Sequence, residues 1–149
     1  MWINELCGSK KAVIGMVHLD ALPGTVRYDA SAGLPGIVAH ARADYESLAA
    51  GGIDAVIFCN ENDKPYSKSV GPHIVAAMTS VIGQVVGARS AVPFGVDVQW
   101  DSKAAVAVAL ATGASFIRGI LCGTFCGDLG LFAPDAEGLV RFRSAIGAE

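Results

Sequence analysis

The chain has 149 residues, 52% of them hydrophobic and 17% charged, with a net charge of −3. That length suffices for one domain with a substantial core, and the slight negative charge leaves no basic footprint for nucleic acid or an anionic lipid surface. No apolar run approaches the ~20 residues of a membrane span, and the opening stretch MWINELCGSKK carries Glu5 and no apolar core of the signal-peptide kind, so a cytoplasmic protein without a transmembrane segment is expected.

Residues 1–11 read as a short helical or irregular lead-in, with Trp2 and Leu6 placed to plug the bottom of the fold. Ala12–Leu19 (AVIGMVHL) is the first expected strand; Gly15 within it points to close packing, and His18 stands at its C-terminal end. A long turn-rich loop follows through Pro23, Gly24 and Asp29 to Gly33, and loops of that length are usually functional or mobile. Pro35 opens the first long helix, whose Ile37, Ala41, Tyr45 and Leu48 share a face, and Gly51-Gly52 closes it.

The stretch Gly52–Asp63 (GIDAVIFCNEND) is the clearest signal in the chain. Its apolar run from Ile53 to Phe58 lacks alternation, as in a parallel strand covered on both faces. It stops abruptly in Asn60, Glu61, Asn62 and Asp63, at the end where parallel α/β folds place ligands and chemistry. A polar loop leads to Pro72, the expected first residue of a helix with Ile74, Met78, Val81 and Val85 on its buried stripe. Pro93–Gln99 (PFGVDVQ) is the third strand, with Gly95, Asp97 and Gln99 on one face and Phe94, Val96 and Val98 on the other. Asp101 or Ser102 caps a third long helix running through Ala111. Ser115–Leu121 (SFIRGIL) is the fourth strand and carries Arg118; Cys122–Gly130 is expected to be a glycine-rich loop, and Asp135 caps a last helix with Leu139, Phe142 and Ile146 on one face. The chain stops at Glu149, where a fifth strand is expected to follow.

Four βα units in this length match the period of a (β/α)8 barrel, and half of one. The junctions Ala50-Gly-Gly-Ile-Asp-Ala and Ala111-Thr-Gly-Ala-Ser-Phe repeat the same helix exit through glycine into a buried strand. An open doubly wound sheet is the alternative, but no GxGxxG or P-loop turn follows the first strand. The expected fold is therefore α/β of the TIM (β/α)8-barrel type, a half barrel in which residues 1–149 form one domain. Such a half leaves the edges of strands one and four open, which predicts self-association, with two halves closing one barrel as one form of it.

Seven polar residues are candidates for a site at the strand ends. His18 is an acid/base group or a substrate hydrogen-bonder, or else a brace for its loop. Glu61 suits a general base or metal ligand and Asn60 a hydroxyl binder, against a helix-capping or loop-bracing role for both. Asp97 and Gln99 point inward, where a lone carboxylate is costly unless paired. Arg118 is its obvious partner, structural if the pair is sealed and anion-binding if it is open. Asp128 could join Glu61 and Asp97 in a carboxylate set for a divalent cation such as Mg2+, though no spacing enforces one. His18, Glu61 and Asp97 are thus the catalytic candidates, and Asn60, Gln99, Arg118 and Asp128 the substrate-binding ones, with no metal ligand assigned and the cofactor open. The cysteines Cys7, Cys59, Cys122 and Cys126 fit neither a disulfide framework nor a zinc pattern and read as free thiols.

The stretches AVIGMVHLDALPG, GGIDAVIFCNENDKPY, PFGVDVQWD and ATGASFIRGILCGTFCGDLG, in that order and over essentially the whole chain, resemble the BtpA/SgcQ family, and its SgcQ branch most closely. The resemblance implies a TIM barrel of roughly twice this length, of which this chain carries the N-terminal half. It also implies one of two functions. The first is an enzyme acting on a small sugar-derived or nucleoside-like substrate at the barrel mouth. The second is a non-catalytic factor in photosystem I biogenesis, peripheral to a membrane.

Overall fold

Short apolar runs separated by helices can be buried on both faces only if the strands lie parallel and side by side. The computed structural model has this arrangement, and it describes residues 2–88 and 90–148. Met1, at the start of the expected lead-in, and Glu149, at the expected stop, lie outside the described residues. A short helix α1 (Trp2–Cys7) precedes β1 (Ile14–His18), α2 (Gly33–Ala50), β2 (Ala55–Cys59), α3 (Pro72–Val86), β3 (Phe94–Asp97), α4 (Ser102–Thr112) and β4 (Phe116–Ile117). A hairpin of β5 (Phe125–Gly127) and β6 (Gly130–Phe132) then leads to α5 (Ala136–Ala145). The sheet runs β1-β2-β3-β4 and every pairing in it is parallel.

One face of the sheet carries the core. Val17, Val56, Phe58, Phe94 and Val96 are buried beneath α2, α3 and α4, whose Tyr45, Met78, Val81 and Val108 complete the cluster. Phe58 is stacked by Tyr45 and met edge-on by Phe94, each with ring centroids 5.9 Å apart. Gly15 faces α2: a Cβ there would stand 3.0 Å from both methyl carbons of Leu48, so the absent side chain lets the helix approach. The helix stripes lie where the 3.6-residue period puts them, with Ile37, Ala41 and Tyr45 buried in α2 and Ile74, Met78, Val81 and Val85 in α3.

Helix starts follow the local chemistry. Pro72 is the first residue of α3, the Asp101 carboxylate accepts from the Ala104 N–H at 3.0 Å to cap α4, and Asp135 caps α5 through the Gly138 N–H at 2.8 Å. Helix α2 begins at Gly33, two residues before the expected Pro35. Proline sits without loss inside the first turn, because the N–H it lacks has no intrahelical acceptor there.

Two expectations are corrected. The fourth strand shrinks from residues 115–121 to Phe116–Ile117, since β4 has a sheet partner on one side alone among the described residues. The stretch 122–130 is not simply a loop: Phe125 pairs Phe132 and Gly127 pairs Gly130 in an antiparallel hairpin, and Gly130 at φ 71° takes the left-handed conformation such a tight turn needs.

The opposite face of the sheet is layered by register. Met16, Ile57 and Gly95 stand side by side, and Gly95 is level with Phe116. The Phe116 ring lies against Gly95, where a Cβ would come within 2.4 Å of it, and Trp2 of α1 packs on that ring at 5.7 Å. One step toward the C-terminal ends, His18, Cys59 and Asp97 stand side by side, with Arg118 next along the sheet. An apolar row thus floors a polar one.

Candidate active site

The polar row and the loops just beyond it form the mouth. Asp97 is 5% exposed, because it lies on a central strand between the neighbours of its row. Arg118 reaches its Oδ2 at 3.4 Å with a side chain that is 60% exposed. The pair is therefore open to solvent on the arginine side. His18, on the edge strand β1, is exposed on the same face. Cys59 is fully buried between them, and burial above all pushes its thiol up to about 12, so it is a neutral S–H group rather than a thiolate.

Glu61 leaves the end of β2 into this mouth and is held by three donors. The Tyr66 hydroxyl donates to its Oε1 at 2.8 Å and to its backbone carbonyl at 2.9 Å, Lys64 Nζ stands 3.2 Å from the same Oε1, and Gln99 Nε2 donates to Oε2 at 2.6 Å. The Tyr66 hydrogen bond, opposed by partial burial and helped by Lys64 and Gln99, holds the Glu61 carboxyl below the usual range. Asp97 moves the other way. Its burial outweighs the Arg118 charge and the Cys59 hydrogen bond and raises its carboxyl above the ordinary value, with Glu61 adding to the rise. Gln99 touches Cys59 Sγ as well, at 3.4 Å, and so links the two carboxylates' surroundings.

Asn60 is 2% exposed and both ends of its amide are hydrogen-bonded. Its Oδ1 accepts the Gln99 N–H at 2.8 Å, its Nδ2 donates to Asp63 Oδ2 at 2.9 Å, and Asp63 Oδ1 accepts the Leu22 N–H at 2.8 Å. Three strand-end loops are tied through this one node. Burial raises the Asp63 carboxyl against those hydrogen bonds. Asp101 makes a second tie, accepting the Val70 N–H at 2.9 Å while it caps α4.

Of the seven candidates, the structure brings His18, Glu61, Asp97, Gln99 and Arg118 together at the mouth, places Asn60 directly beneath it, and sets Asp128 apart at the exposed tip of the hairpin. Among the described residues no group of three or more His, Cys, Asp or Glu is placed to hold a metal ion, so the carboxylate set of Glu61, Asp97 and Asp128 does not assemble as a cation site. Tyr66 and Lys64 are not among the sequence candidates, and Asp63 stands there only as part of the polar stop after the second strand; the one signal for Tyr66 is an aromatic residue inside an otherwise polar loop.

Trp100 follows Gln99 at φ 66°, an uncommon conformation for a bulky residue, and packs edge-on against Phe132 of the hairpin at 5.1 Å. Lys68 donates to the Leu131 carbonyl at 2.6 Å, so the hairpin is fastened to the loops after β2 and β3.

The model of the BtpA family matches residues 9–149. The chain belongs to the BtpA family. This BtpA-family chain is 42% identical over 147 residues to SgcQ, the sgc region protein of Escherichia coli, a match covering 99% of this chain and 54% of that protein. The photosystem I biogenesis protein BtpA of Synechocystis is 36% identical over 140 residues, covering 92% and 48%, and an uncharacterized protein of Archaeoglobus fulgidus is 44% identical over 140 residues, covering 92% and 55%. The chain spans about half the length of the curated relatives it matches. No solved structure matches it. Among the described residues no helix is long and apolar enough to cross a membrane.

Proposed function

We propose that this chain supplies the first four βα units, the N-terminal half, of a (β/α)8 barrel whose mouth binds and converts a small sugar-derived or nucleoside-like substrate in the cytoplasm. The observation that carries the reading is the convergence of His18, Glu61, Asp97, Gln99 and Arg118 on one face, at the C-terminal ends of consecutive parallel strands. Two carboxylates with unlike surroundings, an exposed guanidinium and an exposed imidazole fit a polyhydroxylated ligand with one anionic or carbonyl group. Similarity to SgcQ and to BtpA places both names in the family but gives no reaction. The test is ligand-observed NMR of the 149-residue chain against nucleosides and small sugar acids. Binding that Arg118→Ala and Gln99→Ala abolish supports the reading, and equal binding by wild type and both variants sinks it.

A second reading has one specific support, the 36% identity to a protein named for photosystem I biogenesis. In it the mouth is a docking surface without turnover. Cosedimentation with thylakoid membranes that survives Glu61→Gln and Asp97→Asn would favour it over the enzyme. Among the described residues the outer edges of β1 and β4 pair with no further strand. We propose that two copies associate through them, and sedimentation showing a monomer at micromolar concentration would overturn this.

A further inference from the structure

We infer that Glu61 and Asp97 form an acid–base pair with fixed roles: Asp97 carries the proton that is given to the substrate, and Glu61 is the standing anion that receives one. The inference rests on the reading of the mouth as a substrate site and assigns the chemistry within it to proton transfer on a hydroxy-carbonyl compound.

The two groups occupy opposite hydrogen-bonding situations. Glu61 meets three donors, Tyr66 and Lys64 on Oε1 and Gln99 on Oε2. A carboxylate offers roughly four acceptor positions, so about one remains for a ligand. Protonation would turn an acceptor into a donor and set it against one of the three, so the surroundings favour the anion. Among the described residues no backbone N–H reaches Asp97. Its ion-pair partner Arg118 stands at 3.4 Å, longer than the roughly 2.7–2.9 Å of a strong charge-assisted bond, and is mostly turned to solvent. The groups facing Asp97 are His18 from β1, Cys59 from β2, Arg118 from just after β4 and Glu61 from the loop after β2. The first three favour its anion and Glu61 opposes it. With Glu61 held as the anion and Asp97 buried, a proton that reaches the pair goes to Asp97 rather than to Glu61, and the directions in which burial and hydrogen bonding move the two carboxyls agree.

In the step, the Asp97 O–H bond breaks and its proton goes to a carbonyl oxygen of the substrate. A proton on the neighbouring carbon goes to the free lone pair of Glu61. The electron pair of the broken C–H bond becomes the carbon–carbon double bond of an enediol, and the carbonyl pair becomes the lone pair of the new hydroxyl. One proton arrives and one leaves, nothing is oxidised, and return of the protons at the adjacent positions resets the pair. Tyr66 and Gln99 act as positioning residues for Glu61.

The experiment follows the side-chain carboxyl carbons of uniformly 13C-labelled chain from acid to neutral pH, each assigned through its own backbone. Free side chains titrate with aspartate below glutamate, at about 3.9 and 4.3. The expected result is the reverse order, with Asp97 ionising above Glu61, and a Tyr66→Phe variant in which the Glu61 midpoint rises. Asp97 ionising at or below Glu61, or a Glu61 midpoint indifferent to Tyr66→Phe, overturns the assignment. Ribose, ribulose and fructose are added in a separate arm. Failure of all three to bind, with the reversed order intact, removes the sugar reading of the mouth and leaves the acid–base pair standing. Binding with the ordinary order removes the pair and leaves the sugar reading.

Discussion

Replacing Asn60 by alanine separates a brace from a ligand-binding residue. The substitution strips the acceptor from the part-buried Gln99 N–H and one donor from the buried Asp63 carboxylate. A buried N–H left unpaired costs about 1–3 kcal/mol, and a hydrogen bond to a charged group contributes about 1.5–3 kcal/mol. The sum, with some overlap between neighbours, is about 3–5 kcal/mol, a large share of the roughly 5–15 kcal/mol that holds a domain folded. With a urea slope of about 2 kcal/mol per molar, the unfolding midpoint should fall by about 2 M at unchanged slope. Urea titration followed by the fluorescence of Trp100, which neighbours Gln99, reads both quantities. A midpoint shift under about 0.5 M would refute the bracing argument and return Asn60 to the ligand-binding role that its place at the strand end suggested.

Three further outcomes follow from the same geometry. Asp97→Asn should raise thermal stability at pH 8 more than at pH 4. The raised carboxyl of Asp97 contributes stability that is full below its unfolded value near 3.8 and is lost as pH rises through the folded value, so a difference that shrinks with rising pH in paired melting curves would contradict it. Gly95→Ala puts a Cβ within 2.4 Å of the Phe116 ring and should cost about 1–3 kcal/mol in urea unfolding, as overpacking does; an unchanged midpoint would mean that Phe116 moves aside freely. At Trp100, glycine should be more stable than alanine by about 1 kcal/mol, since both lose the Phe132 contact and glycine alone accepts φ 66° without strain. Alanine matching glycine would mean the backbone relaxes once the ring is gone.

The parts of the fold written in continuous apolar runs were legible in the sequence. Ile53–Phe58 could hardly be anything but a covered strand, and Pro72 with its stripe from Ile74 to Val85 announced α3. The hairpin was not legible, because its strands are three residues each and the pairing that joins them leaves no local period. In the mouth, alternation along PFGVDVQ put Asp97 and Gln99 on one face correctly, as a period of two must. What sequence could not give was which polar atoms spend themselves on each other. Asn60 turns both amide ends inward, and Tyr66 returns to Glu61 across a loop whose path depends on tertiary contacts.

The cross-strand row at the mouth also works as a ruler. Neighbouring strands lie about 4.8 Å apart, and His18 and Asp97 are two strands apart with the buried thiol of Cys59 between them. Their backbones are therefore roughly 10 Å apart, and subtracting a hydrogen bond of about 2.8 Å at each end leaves roughly 4 Å. A molecule that touches both must carry polar atoms at that spacing and present something indifferent to a thiol in the middle. Side-chain rotation widens the tolerance for His18, while the burial of Asp97 fixes the other end of the scale. On the proposed reading of the mouth, the spacing of His18 and Asp97 would select ligand length, and Arg118 beyond them ligand charge.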